Sequence, residues 1–199
     1  MTKHRSKNER KAEIIEAAAH CFATSGYHET TMDDIVKACG LSKGALYWHF
    51  KNKRSLFQAL IDEWTSSTTA EVEALLNDNA RPARDRLRAL FVSIGRAQSS
   101  RPDLARAQLE FMALATRDED FRAWYRSSTR RLLDAVTQLL EAGVVEKSFR
   151  SIQINVIAWQ IVSMLDGSLF HHEIMTNAEE GGPPLWNLQA NTFLSLLER

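Results

Sequence analysis

Residues 30–57 read TTMDDIVKACGLSKGALYWHFKNKRSLF, and the punctuation inside this stretch decides how the chain folds. Thr30 or Thr31 can cap a helix whose first turn carries Asp33 and Asp34 near the positive end of the helix dipole. Met32, Ile35, Val36 and Cys39 then recur at helical spacing. Gly40 interrupts, Leu41 is apolar, and Ser42 is placed to cap a second short helix running through Tyr47, Trp48, His49 and Phe50. Lys53 opens a longer helix with Leu56, Phe57, Leu60, Ile61 and Trp64 on one stripe. That pattern continues to Leu76, a helix of about 24 residues and ~36 Å. Helices of seven or eight residues do not persist alone in water, so neighbouring helices must bury their inner faces.

Upstream, Ile14, Ile15, Ala18 and Phe22 predict a helix from about Asn8 to Thr24, closed by Ser25-Gly26. Downstream, Asn77 to Pro82 is the expected break within the body. Pro82 and Pro102 each sit at the start of an apolar-periodic segment, the first carrying Leu87, Leu90, Phe91 and Ile94, the second Leu104, Leu109 and Met112. Asp118, Glu119 and Asp120 begin another, which reads through Trp124, Leu132, Val136 and Leu140 to Gly143. Phe149 to Ile174 is the most apolar piece, and Glu179 to Pro184 reads as a loop before a short closing helix to Leu197. No stretch alternates as a strand. The expected fold class is all-α: a three-helix head, residues 1–55, and a helical body, residues 56–199.

Glycine (8) and proline (4) are scarce, as long unbroken helices require. The polar, basic start carries no apolar run, so a secretory signal is not expected, and no stretch is long and apolar enough to predict a membrane span. Cys21 and Cys39 lie within helical patterns and suggest neither a disulfide framework nor a zinc motif; a cytoplasmic location is expected. The formal net charge is zero, yet residues 1–55 carry 10 Lys or Arg against 6 Asp or Glu, and seven of the eight lysines precede Arg54. A basic head on an acidic body suits a protein that touches phosphate at one end only.

Two short helices joined by a tight glycine turn are the geometry that lays the second helix in the major groove of double-stranded DNA. The expected second helix exposes Lys43, Gly44, Tyr47, Trp48 and His49 and buries Ala45, Leu46 and Phe50. Gly44 and Ala45 permit close approach of backbone to DNA, and Tyr47 and His49 can donate to phosphate oxygens. Lys53 adds an ammonium to a helix start, where free N–H groups favour an anion. Lys3, Arg5, Lys7, Arg10 and Lys11 can reach the adjacent backbone or minor groove. With Thr31 and Ser42 at the two helix starts, the expected DNA-binding set is Thr31, Ser42, Lys43, Gly44, Ala45, Tyr47, Trp48, His49 and Lys53.

The stretch from Thr30 to Phe57 resembles the DNA-binding domain of the tetracycline-repressor family, and AEIIEAAAHCFATSGYHETT before it is similar to the same family's first helix. The resemblance covers Ala12 to Phe57. It implies a transcriptional regulator, a repressor in the first instance, that binds a palindromic operator as a homodimer with one recognition helix per major groove. It also implies that Tyr47, His49 and Lys53 contact phosphate, and that Ser42, Lys43, Gly44 and Ala45 fall at base edges or nearby backbone. RPDLARAQLEFMALATRDEDFRAWYR and the later MLDG are similar to a common subclass of the family's bodies, which implies that Phe149–Ile174 and Leu185–Leu197 pair with their symmetry mates as a four-helix bundle.

A body of this kind implies an apolar effector cavity with a few polar anchors. Trp64, Phe91, Ile94, Gln98, Phe111, Met112, Trp124, Trp159, Ser163 and His171 are the expected lining, suited to a small hydrophobic or aromatic effector. The alternative is a DNA-bound regulator or activator with no effector. His171-His172-Glu173 point in divergent directions on a helix and make no chelate, so neither a metal nor a cofactor is expected. No phosphate loop, nucleophile elbow or paired-carboxylate signature occurs, so no enzyme is expected.

Overall fold

The first four helices all begin at polar caps written into the sequence. In a computed structural model describing residues 6–175 and 185–197, α1 (Lys7–Glu29) starts at Ser6, α2 (Met32–Cys39) at Thr31, α3 (Lys43–His49) at Ser42 and α4 (Lys53–Asn77) at Asn52. Thr31 and Asp34 form a reciprocal box: the Asp34 N–H donates to Thr31 Oγ1 at 3.2 Å and the Thr31 N–H to Asp34 Oδ2 at 3.0 Å. The Ala45 N–H donates to Ser42 Oγ at 3.2 Å, a serine cap that stabilises so short a helix by about 1 kcal/mol. Thr30 is not the cap; it is buried, its hydroxyl donating to the Gly26 carbonyl at 2.7 Å.

Two glycines shape the head. Gly26, at φ 75°, breaks α1 as expected, but a further turn, residues 27–29, follows it. Gly40 ends α2 in the left-handed region, at φ 66° and ψ 17°, and so sets the turn into α3.

The body comprises α5 (Ala83–Ser100), α6 (Pro102–Ala115), α7 (Glu119–Val145), α8 (Ile154–Met175) and α9 (Leu185–Leu197); among the described residues there is no strand. The fold is all-α, with a helix-turn-helix head and a helical body. Two boundaries differ from expectation. α3 stops at His49, leaving Phe50 extended and buried. α8 starts at Ile154 rather than Phe149, because Phe149 turns back: its N–H bonds the Gly143 carbonyl at 3.0 Å and its ring covers Gly143, where a Cβ would collide with it. Lys3, Arg5 and the Glu179–Pro184 loop lie outside the described residues.

Two hydrophobic cores result. One holds Ile14, Ile15 and Phe22 of α1, Ile35, Leu46, and Leu56, Phe57 and Leu60 of α4; it continues into the body through Leu104, Phe111 and Phe121. Phe22 meets Phe57 edge-on at 4.8 Å, and Phe111 meets Trp124 at 4.6 Å, so aromatic rings run from head to body without a break. Burying each of these rings contributes roughly 1.5–3 kcal/mol. The second core, built on Val72, Leu87, Leu90, Phe91, Val136, Leu140, Ile161 and Leu194, lies wholly in the body. α4 belongs to both: its first half is in the head core and Val72 in the other. Glu146 fastens the far end of the body, accepting from the Ala83 N–H at 2.7 Å and pairing with the buried Arg86, which also reaches the Leu76 carbonyl at 3.2 Å.

Candidate nucleic-acid interface and body cavity

The face of α3 that points away from the core is built by elimination. Leu46 and Phe50 are buried in the head core, which leaves Tyr47 43% and Trp48 66% exposed, with Lys43 and Gly44 open beside them. Large aromatics left in water at this density mark a contact surface rather than a core. Thr31 and Ser42 are exposed at their helix starts; Ala45 and His49 are half-buried.

Positive charge surrounds this face. The Lys7 ammonium lies 4.8 Å from the Trp48 ring centroid, and the Trp48 and His49 rings meet edge-on at 4.7 Å. Burial holds the His49 imidazole below its ordinary pKa, and the Lys7, Arg10 and Lys11 charges push it further the same way. Both effects favour the uncharged imidazole, which offers one N–H, while Lys7, Arg10 and Lys11 supply the cation density from the start of α1.

Two of the expected contacts have internal partners. Lys43 Nζ sits 2.7 Å from Asp33 Oδ1, and that hydrogen bond, with the attraction of the Asp33 charge, raises its pKa. Lys53 Nζ donates to the His28 carbonyl at 2.8 Å and lies 4.7 Å from the Tyr27 ring centroid; burial lowers its pKa, against the attraction of Glu29. Lys43 is thus held at the start of α3 by α2, and Lys53 against the end of α1. The Asp33 pairing is ten residues away in sequence and was not visible there.

In the body, a cavity of about 80 Å³ lies among α4, α5, α6, α7 and α8. Of the expected lining, Trp64, Ile94 and Gln98 face it. Trp159 and Ser163 face an outer cleft of about 530 Å³ between α7 and α8, which shares Tyr125, Thr129, Val162 and Asp166 with the cavity. Phe91 lies in the body core and Phe111 in the head core; Trp124 packs on Phe111 and donates to Asp62 Oδ1 at 2.9 Å. Met112 is half-buried on α6, and His171 is exposed with Nδ1 2.9 Å from the Gly167 carbonyl.

The sequence reading missed the cavity's polar pair. The Tyr125 hydroxyl donates to Asp166 Oδ2 at 2.6 Å, and burial raises the pKa of both groups. A signal was present, since Asp166 is the one charged residue between Ile154 and Phe170. Among the described residues, no group of three or more His, Cys, Asp or Glu is placed to hold a metal, and no helix is long and apolar enough to cross a membrane.

A capped helix-turn-helix presenting an aromatic, cation-rimmed face, carried on a helical body, defines a DNA-binding regulator rather than an enzyme. Residues 14–60 match the family model described as bacterial regulatory proteins, tetR family, and residues 82–178 match the model for the C-terminal part of BetI-type transcriptional repressors. The chain belongs to the tetR family of bacterial transcriptional regulators. It is 32% identical over 159 residues to the HTH-type transcriptional repressor AcnR of Corynebacterium diphtheriae, covering 79% of this chain and 78% of the relative. Its fold matches that of a TetR transcription regulator from Haloarcula marismortui with TM-score 0.81, at 18% identity over 96% of this chain and all of the other. It also matches a triclosan complex of SmeT, a repressor from Stenotrophomonas maltophilia, with TM-score 0.79, at 20% identity over 96% of this chain and 92% of SmeT.

Proposed function

We propose that this protein is a repressor that binds a palindromic DNA operator as a homodimer and leaves it when a small hydrophobic or aromatic effector enters the body. The head, residues 1–55, reads the duplex, and the body, residues 56–199, senses and dimerises. The observation that carries the DNA half is the exposed Tyr47–Trp48 surface with Lys7, Arg10 and Lys11 beside it. In this reading Tyr47, His49 and Lys53 hold phosphates, while Ser42, Lys43, Gly44 and Ala45 lie nearest the base edges, flanked by Thr31 and Trp48.

The apolar faces of the last two helices support dimerisation. Val156, Trp159, Phe170 and Ile174 of α8, with Leu185, Leu188 and Leu196 of α9, are 40–60% exposed, a stripe that a second copy would cover. Two linked heads dock together only while their separation matches the half-site spacing. The shared aromatic core gives a movement in α6 or α7 a mechanical path to the head. The repressor AcnR and the triclosan bound to SmeT support repression and an apolar effector respectively.

The test begins with selection of a duplex from a randomised pool, followed by binding measured by anisotropy and mass measured by light scattering. A palindromic winner bound by a dimer, and released by at least one member of an apolar effector panel, is the expected result. Binding as a monomer, or indifference to every effector while transcription from the site rises, would overturn it.

A further inference from the structure

Three hydroxyls around the body cavity have already committed their protons. Thr65, Thr68 and Ser128 each line it, and each hydroxyl donates its one proton to a backbone carbonyl of its own helix: Thr65 to Ile61 at 2.8 Å, Thr68 to Trp64 at 3.1 Å, Ser128 to Tyr125 at 2.9 Å. A hydroxyl so engaged has only lone pairs left to offer. Gln108 Oε1, on the same wall, is buried and accepts no hydrogen bond among the described residues. Asp166 completes the set. Its carboxyl takes the Tyr125 hydroxyl and, among the described residues, pairs with no Lys, Arg or His.

The donors on this wall are the Gln98 and Gln108 amides, the Thr69 and Thr129 hydroxyls, the latter bonded to Tyr125, and Tyr125 itself; no Lys, Arg or His lines it, so it is short of positive charge. Burial drives the Asp166 carboxyl toward its neutral form, with the Tyr125 hydroxyl only partly opposing this; an ion with the opposite charge would reverse the balance. Trp64, Ile94, Leu132, Val162 and Leu165 supply the apolar remainder. The present volume of about 80 Å³ is below that of ordinary ligand pockets, roughly 300 Å³ and upward. Tyr125 and Asp166 line both this cavity and the outer cleft, so their hydrogen bond lies between the two; Arg126 and Arg130 line the outer cleft, not the cavity.

Taking the effector-binding reading as its basis, we propose that the effector is an organic cation with N–H donors, a protonated amine on an apolar body, whose ammonium displaces the Tyr125 hydroxyl from Asp166 and donates to the acceptors around it. Asp166 is the charge-reading residue, Gln108 a second acceptor, and Tyr125 the competitor that keeps the unliganded cavity closed.

The experiment titrates the full-length protein by calorimetry with 2-phenylethylamine, its neutral counterpart 2-phenylethanol, and the N,N,N-trimethyl derivative, and measures DNA release by each. The amine should bind the wild type at least about tenfold more tightly than the alcohol, the ordinary worth of a hydrogen bond to a charged group. Asp166→Asn should bring that ratio close to one. Tyr125→Phe should keep or enlarge it, which guards against a folding defect in the first variant. Equal affinity of amine and alcohol for the wild type, an undiminished preference in Asp166→Asn, or binding by none of the three would overturn the proposal. A trimethyl derivative as tight as the amine would overturn the requirement for N–H donors. If the alcohol alone binds and releases DNA, the effector reading stands and the cation falls. If the amine binds through Asp166 yet leaves DNA affinity unchanged, the cation stands and the effector reading falls.

Discussion

Arg54, in the first turn of α4, reaches Asp118, the N-cap of α7: Nη2 lies 2.7 Å from Oδ1, and the guanidinium lies 4.6 Å from the Phe121 ring centroid. The same Asp118 oxygen accepts the Asp120 and Phe121 N–H groups at 3.0 and 3.2 Å. One carboxylate therefore starts α7 and fastens it to the head. Asp118→Ala removes the cap and one of the two carboxylates that hold Arg54, whose Nη2 also lies 3.0 Å from Asp120 Oδ2, while Arg54→Ala leaves the cap intact, and exposed ion pairs stabilise little. Thermal unfolding should show Asp118→Ala lowering Tm by a few degrees, roughly 2–4 °C, with Arg54→Ala at less than half of that. Equal losses would mean that the ion pair, not the cap, fixes the junction.

The same carboxylate makes the junction sensitive to acid. Desolvation works to raise the Asp118 pKa, but the Phe121 N–H and the Arg54 side chain outweigh it and leave it below the ordinary value. Asp34 is lowered by the Thr31 hydroxyl and N–H. A carboxyl with a lowered folded pKa contributes stability that is full above its unfolded value, about 3.9, and is lost as pH falls through the folded value. The Tm difference between wild type and Asp118→Asn should accordingly hold steady from pH 7 to 5 and shrink below about pH 4, the wild type falling further. A Tm that falls by the same amount in both proteins would place the acid sensitivity elsewhere.

What could be read from the sequence divides along chain separation. Ser42, Gly40 and Thr31 announce their helix boundaries because a cap acts over three residues and a glycine over one. The outward Tyr47-Trp48 face follows from Leu46 and Phe50 by helical periodicity alone. The contacts that tune the site span greater distances: Lys43 with Asp33, Lys7 with Trp48, Lys53 with His28. The cavity was least legible, since Tyr125 and Asp166 are 41 residues apart and its hydroxyls look like ordinary surface threonines and serines. Phe91, Phe111 and Trp124 belong to the same apolar stripes as Trp64 and Ile94, and only the docking of five helices separates a core face from a cavity face.

Lys53 has to leave Tyr27 and the His28 carbonyl, or reach past them, to meet a phosphate. Each phosphate neutralised adds about 0.9 to the slope of log affinity against log salt. For Lys53→Ala the slope should fall by about that amount per subunit, measured by anisotropy over a salt series. An unchanged slope would assign Lys53 to bracing the end of α1 alone.

Asp33 holds Lys43 by its ammonium and places a negative charge beside the DNA-facing helix. Asp33→Asn removes that charge and loosens the lysine, so affinity for random duplex should rise, by about threefold to tenfold at low salt, while discrimination for the selected site narrows. Competition between selected and random duplex measures both. A loss of affinity for both would show that the ion pair positions α3 rather than restrains Lys43.

Gly40 and Gly44 separate folding from recognition. An added Cβ meets nothing within 4 Å at either position, so neither substitution causes an internal clash. Gly40 has φ 66°, and there alanine should cost about 1–2 kcal/mol through backbone strain alone. Gly44 lies inside α3 without a positive φ, and there alanine should stabilise the head by up to about 1 kcal/mol. If the exposed side of Gly44 is where DNA backbone or base edges approach, its methyl group must be accommodated at that contact. Gly44→Ala should therefore raise Tm while weakening operator binding, a combination that loss of folding cannot produce. Paired melting and anisotropy measurements decide it: a Gly44→Ala protein that melts higher and binds the selected duplex undiminished would move the DNA contact away from the start of α3.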